Sequence, residues 1–151
     1  MGNIFNSDFQ DFINALNNAG VEYILIGGYS VILHGYLRTT GDLDIWVNRT
    51  KENYIRLISG FKLFGMPIFD MTENNFLFND NFDVFTFGRP PVSIDIMNKV
   101  KGLEFEKCYL ESDNKEVDGI LVRVINYSNL IKAKKAAGRP KDIDDIEHLI
   151  Q

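Results

Sequence analysis

Apolar positions near the start of the chain fall at helical intervals. Phe9, Phe12, Ile13 and Leu16 recur every three or four residues until Asn17-Asn18-Ala19-Gly20 interrupts them. Ser7 and Gln10 have the spacing of a capping box, so the pattern predicts an amphipathic helix beginning at Ser7. The period then changes. Val21 to Ile26 is a short, β-branched apolar run that breaks at Gly27-Gly28, and SVILHGY after it predicts a brief helix. Leu43 to Val47 predicts a second strand. Thr50 is placed to cap a further helix carrying Tyr54, Leu57, Ile58 and Phe61, which ends near Gly65-Met66-Pro67.

From Asn74 to Phe87 the chain is rich in Phe, Asn and Asp without a clean period, and Phe82 to Phe87 is taken as a strand. Gly88-Arg89-Pro90-Pro91 is a turn signal. Alternation returns in VSIDIM, with Ser93, Asp95 and Met97 on one face and Val92, Ile94 and Ile96 on the other. Leu103 to Cys108 predicts a short helix, Glu116-Val117-Asp118-Gly119 a hairpin turn, and Ile120 to Ile125 a final strand. Ser128 is placed to cap a helix through Ala137, Gly138 to end it, and Pro140 to open a last helix carrying Ile143, Ile146, Leu149 and Ile150. Helices and strands alternate, with hairpins and crossovers both implied. The expected fold is α/β (α+β): a mixed β-sheet packed by helices, with a short helical C-terminus, in one domain over residues 1–151.

Composition narrows the function classes. At 151 residues, 45% apolar and 25% charged, the chain has ordinary globular usage and enough length for a real core. The start, MGNIFNSDFQDFINAL, has no basic segment before an apolar run, no stretch is long and apolar enough to span a bilayer, and Asn6 stands where a myristoylation signal needs Ser or Thr. The expectation is a cytoplasmic protein with no membrane partner. Cys108 is the single cysteine, which suits a reducing compartment and reads as a core thiol. The formal net charge of −5 gives no general attraction for a nucleic-acid backbone. Positive charge gathers instead in KAKKAAGRPK, where an anion would go.

Three aspartates need a reason. Asp42 and Asp44 are two apart, so both project from the face of Trp46 while Leu43, Ile45 and Val47 take the other. Neighbouring like charges on a half-buried strand repel unless a cation or water offsets them. Asp95 lies between two isoleucines at the centre of another strand, where acids are disfavoured. One reading is an oxygen cage for Mg²⁺, which favours carboxylates together with substrate phosphates and water. The other is placement at strand ends, which suits Asp42 better than Asp44 or Asp95. Gly27 and Gly28 permit close approach of backbone to a phosphate, and equally serve a steric strand-to-helix turn. Ser30 is either a phosphate donor or a small polar residue in the first turn. Trp46 beside the acids is a packing residue or a platform for a base. His34 reads as a satisfied helix residue, since His148 is far away and no second histidine lies at ligand spacing. No serine sits in a nucleophile elbow.

Taken together, GGYSVILHGYLRTTGDLDIWV resembles the signature of the polymerase-β-type nucleotidyltransferase superfamily, with a third acid on a later strand. Arg38 and Thr40 before GDLD, and LIKAKKAAGRPKDIDDIEHL near the end, are similar to the small bacterial branch that includes AbiEii-like toxin transferases. The resemblance runs from about Gly20 onward. It implies a Mg²⁺- or Mn²⁺-dependent enzyme that moves a nucleoside monophosphate from an NTP to an acceptor hydroxyl on tRNA, a protein or a small molecule, releasing pyrophosphate. Asp42, Asp44 and Asp95 would be metal ligands and catalytic acids, with Asp95 serving the acceptor hydroxyl. Gly27, Gly28, Ser30 and Arg38 would hold the nucleotide, and the C-terminal motif maps onto Lys134, a catalytic cation, and onto Arg139, Lys141 and Asp142. Lys134 shares a helical stripe with Tyr127, Leu130 and Ile131, which takes it off an obviously solvated face. For Arg139 and Lys141 a solvated loop is the competing reading, and for Asp142 the N-cap of the last helix. The short chain has no specialised substrate domain, so acceptor binding is expected to need a partner protein or a second subunit. A non-catalytic, nucleotide-binding component of a toxin–antitoxin pair is the alternative function.

Overall fold

Short alternating or fully apolar runs make the strands, and amphipathic runs the helices, in nearly the order the pattern predicts. The computed structural model describes residues 2–89 and 92–151, so Pro90 and Pro91 of the expected turn lie outside the described residues. The chain forms α1 (Ser7–Asn18), β1 (Tyr23–Ile26), α2 (Gly27–Leu33), β2 (Leu43–Val47), α3 (Lys51–Phe64), α4 (Glu73–Leu77), β3 (Val84–Arg89) and β4 (Val92–Met97). It continues through α5 (Phe105–Leu110), β5 (Asp113–Val117), β6 (Ile120–Val124), α6 (Tyr127–Ala137) and α7 (Pro140–Leu149). No helix among the described residues is long and apolar enough to cross a membrane.

The strands form one six-stranded sheet in the order β3-β4-β2-β1-β6-β5. β2 runs parallel to β4 and β1 parallel to β6, while the remaining neighbours are antiparallel. The register fixes two rungs across the middle. One joins Ile24, Trp46, Met97 and Val84; the other, two residues along and on the same face, joins Ile26, Asp44, Asp95 and Thr86.

Alternation then divides the core. Leu43, Ile45, Val47, Ile94 and Ile96 pack against Phe12, Leu16, Leu57 and Phe61 of α1 and α3. The opposite face carries a smaller cluster of Ile24, Val31, Trp46, Phe105, Cys108, Ile125 and Leu130, so α5 and α6 cover only part of it. The acids lie on this second face, where residues of α6 and α7 border a cleft beside Asp44.

Several expected boundaries move. Asn6, not Ser7, caps α1 through its Oδ1, which accepts the Phe9 N–H at 2.8 Å. Asn126, not Ser128, does the same for α6, accepting the Asn129 N–H at 2.7 Å. In each case an asparagine, an equally strong N-cap, stands one or two residues ahead of the serine. β1 runs directly into α2 at Gly27, three residues before the expected helix start. α4 was hidden in the aperiodic stretch because a five-residue helix is too short to show a period. β3 and α5 each start two residues later than expected. Thr50, Gly138 and Pro140 take their predicted roles.

Candidate active site

Parallel pairing of β2 with β4 puts Asp44 and Asp95 at neighbouring positions of one rung. Asp44 is largely withdrawn from water, and that burial, followed by the charge of Asp95, pushes its carboxyl up to about 7. Asp95 Oδ1 is buried and has no hydrogen-bond partner. Asp42, just ahead of β2, accepts a 2.8 Å hydrogen bond from Ser93 Oγ. No group of three His, Cys, Asp or Glu among the described residues is arranged around one metal position. The three expected acids thus divide into an adjacent pair and a third member tethered beside it. The pair nevertheless fits a hard divalent cation, because an orphaned buried oxygen and a like-charge neighbour are what such an ion would relieve. Mg²⁺ needs only one or two carboxylates when phosphate and water complete its shell.

The glycine turn is packed against these acids. Gly27 has φ +70°, and a Cβ there would overlap the Asp44 carboxylate. A Cβ on Gly28 would overlap the Thr40 hydroxyl and stand 3.4 Å from Arg38 Nη1. Both glycines are therefore demanded by the side chains they seat. Ser30 is fully buried, and its hydroxyl donates to the Gly27 carbonyl at 2.6 Å, which places it beneath the turn.

The C-terminal cations form a knot. Lys134 Nζ, on the buried side of α6, lies 3.2 Å from Asp142 Oδ1 and 3.0 Å from Asp145 Oδ2. Arg38 grips Asp145 with two bonds, Nε to Oδ1 at 2.8 Å and Nη2 to Oδ2 at 3.0 Å. Arg139 binds Asp142 likewise, at 2.7 Å from Nε and 3.2 Å from Nη2. Asp142 also accepts the Arg139 backbone N–H at 3.1 Å; Arg139, not Asp142, is the N-cap of α7, and Asp142 completes the capping box from the third helical position while pairing with cations. Its burial works to raise the carboxyl, yet Arg139 and Lys134 hold it below the ordinary carboxylate range, and the same bond raises Arg139. Lys141 is exposed, but its charge is felt at Asp44, where it opposes the upward shift.

A cleft of about 140 Å³ brings Gly27, Asp44, Lys134, Arg139 and Asp142 to one space, with aliphatic walls. Arg38 joins through Asp145; Gly28, Ser30, Asp42, Asp95 and Lys141 are not among the lining residues. Asp145 is the member that sequence reasoning passed over. The signal was its three-residue offset from Asp142, which puts both acids on one face of α7. Trp46 is buried edge-on against Phe105 at 5.2 Å, so it packs and offers no stacking face. His34 Nε2 hydrogen-bonds the Ile125 carbonyl at 2.7 Å, and Cys108 is a buried thiol raised by that burial.

No family model matches the chain, and no curated protein sequence matches it. Two solved structures are similar in fold. A candidate nucleotidyltransferase from Thermotoga maritima superposes with a TM-score of 0.57 at 14% identity, over 94% of this chain and 89% of that one. The lincosamide antibiotic adenylyltransferase LnuA, with lincomycin bound, gives the same TM-score of 0.57 and 14% identity over 99% of both chains. With the likeness extending over nearly the whole of each chain, the mixed sheet and its helical C-terminus have the fold of nucleotidyltransferases.

Proposed function

We propose that the chain transfers a nucleoside monophosphate from an NTP to an acceptor hydroxyl and releases pyrophosphate. The observation that carries this reading is the Asp44–Asp95 pair, with its orphaned oxygen, beside a cleft lined by Lys134 and Arg139. Asp44 and Asp95 would hold Mg²⁺, or Mn²⁺ in its place, with Asp42 beside them. When bound, the ion neutralises charge on the triphosphate and on the reacting oxygens. The remaining work belongs to the chain. Lys134 and Arg139 present fixed positive charge to the phosphates, and Lys141 adds a solvent-side charge. Gly27 and Gly28 let the backbone approach, and Arg38 braces the segment leading to Asp42. Asp95, whose Oδ1 has no hydrogen-bond partner, would orient the acceptor hydroxyl and take its proton. A bond then forms from that oxygen to the α-phosphorus as the bond to pyrophosphate breaks.

RNA, protein and small molecules all carry suitable hydroxyls. The lincomycin bound by LnuA, a chain of matching extent, supports a small molecule. Placement in the AbiEii-like branch, and any toxin–antitoxin partner, rest on the motifs around Arg38 and Lys134. The tether from Ser93 to Asp42, which leaves two acids rather than three together, favours the second reading of nucleotide binding without turnover. Pyrophosphate release from each NTP with Mg²⁺, measured beside calorimetric binding, separates the two. Release that disappears in Asp95→Asn with the fold intact is expected; release unchanged by that substitution would remove the assigned role.

A further inference from the structure

The sheet ends on two edges, β3 and β5, and the sequence treats them differently. β5 carries Asp113, Lys115 and Glu116, charges of the kind that discourage another strand from pairing. β3 has no charged residue from Val84 to Gly88. Asn98 N donates to the Asp83 carbonyl at 3.1 Å, which makes these two a hydrogen-bonded pair at the start of the β3–β4 ladder. Such pairs alternate along antiparallel strands. Phe85, Phe87 and Arg89 therefore turn their backbone N–H and C=O groups toward β4, while Val84, Thr86 and Gly88 turn theirs outward. Among the described residues no strand pairs with that outer row.

We infer that this row pairs antiparallel with β3 of a second copy of the chain, about a two-fold axis at Thr86; the inference is independent of the transferase reading. The axis falls there because Thr86 is the middle of the outward positions. Thr86 then opposes Thr86 of the second copy, and Val84 opposes Gly88 of the second copy, whose lack of a side chain leaves room for it. The same register sets Asp83 against Arg89 of the second copy, and Arg89 against its Asp83. Both residues are exposed, and neither makes an ion pair among the described residues. An edge with opposite charges at its two ends is complementary to itself when reversed, whereas parallel pairing in register would oppose like charges. Phe69, 70% exposed and held at φ +49°, has its ring centroid 6.3 Å from that of Phe87, where the second copy would cover it. A two-fold normal to the sheet also keeps both acid pairs on one face, along a rung that runs from Asp44 through Asp95 and Thr86 into the second copy. The cleft beside Gly27 and α6 lies away from the join.

Sedimentation velocity of the full chain over a range of concentrations reads the assembly. Wild type is expected to pass from monomer to dimer and no further, because the two-fold uses the β3 edge of each copy. Thr86→Pro removes an outward N–H that β4 does not use, so the dimer should be lost while the fold, followed by circular dichroism, persists. Arg89→Asp and Asp83→Arg each oppose like charges and should raise the dissociation constant about tenfold; the double variant, with the charges exchanged, should return it to near the wild-type value. Mild oxidation should link Thr86→Cys into a covalent dimer, since hydrogen-bonded partners have Cα atoms about 5.5 Å apart. Val84→Cys should stay unlinked, its two copies lying about 14 Å apart in this register. Cys108, 1% exposed, takes no part. A wild type that remains monomeric, assemblies larger than a dimer, a dimer that survives Thr86→Pro, charge variants that exchange does not rescue, or Val84→Cys linking as readily as Thr86→Cys each overturns the inference. If Thr86→Pro does not fold, the charge exchange and the two cysteine variants decide.

Discussion

Asp44 and Asp142 line the same cleft, yet their carboxyls move in opposite directions. Burial and the charge of Asp95 lift Asp44 to about 7, whereas Arg139 and Lys134 outweigh the burial of Asp142 and hold its carboxyl low. The C-terminal knot has met its electrostatic needs within the chain: two buried acids and three cations, each acid gripped by an arginine and both by one lysine. The acid pair has not. Charge left uncompensated on a sheet that is otherwise well packed is what a ligand can relieve, so the contrast separates groups already paired within the chain from a pair that is not.

Breaking the satisfied side should have the largest effect on folding. Asp145→Ala leaves Lys134 with Asp142 alone and Arg38 without its bidentate partner, and is expected to lower stability by about 3 kcal/mol, read from urea unfolding; a loss no larger than a surface substitution produces would mean the knot is ornamental. The unsatisfied side should answer differently. Asp44→Asn is expected to reduce pyrophosphate release by about 10²- to 10³-fold without loosening the fold. The pH profile sharpens this point. Between the ordinary value of 3.8 and about 7 the folded chain keeps a proton on Asp44 that the unfolded chain has released, so stability falls as pH rises across that window. In Asp44→Asn that decline should flatten, and the variant should melt at or above the wild type at pH 8. Mg²⁺ should stabilise the wild type by about 2.7 kcal/mol at a hundred times its Kd, and distinctly less in Asp95→Asn; equal Tm shifts in both would detach Asp95 from the ion. At the small end, Asn126→Ala should remove about 1 kcal/mol through the lost α6 cap, with Ser128→Ala close to neutral.

Legibility followed the range of the interactions involved. β2 and β4 could be bounded from alternation alone, and Thr50, Gly138 and Pro140 act through their immediate neighbours. Helical periodicity also takes Lys134 off an obviously solvated face, and it is 7% exposed. Ser7 and Ser128 misled because an adjacent asparagine competes for the same backbone N–H groups, and sequence spacing does not rank the two. Asp145 was missed for a different reason. Its bidentate partner Arg38 is 107 residues away, a relation that no local pattern expresses. The tether of Asp42 to Ser93 likewise depends on strand pairing, which decides which of three similar acids stands apart.

Gly27 shows what such close fitting implies. The volume a methyl group would claim at that turn is already occupied by an oxygen of Asp44. Turn and acid consequently behave as one part: an alanine introduced at position 27 would force the carboxylate aside, and its damage would register as displaced chemistry as much as a strained loop. Anyone redesigning this loop is, in effect, redesigning the acid it cradles.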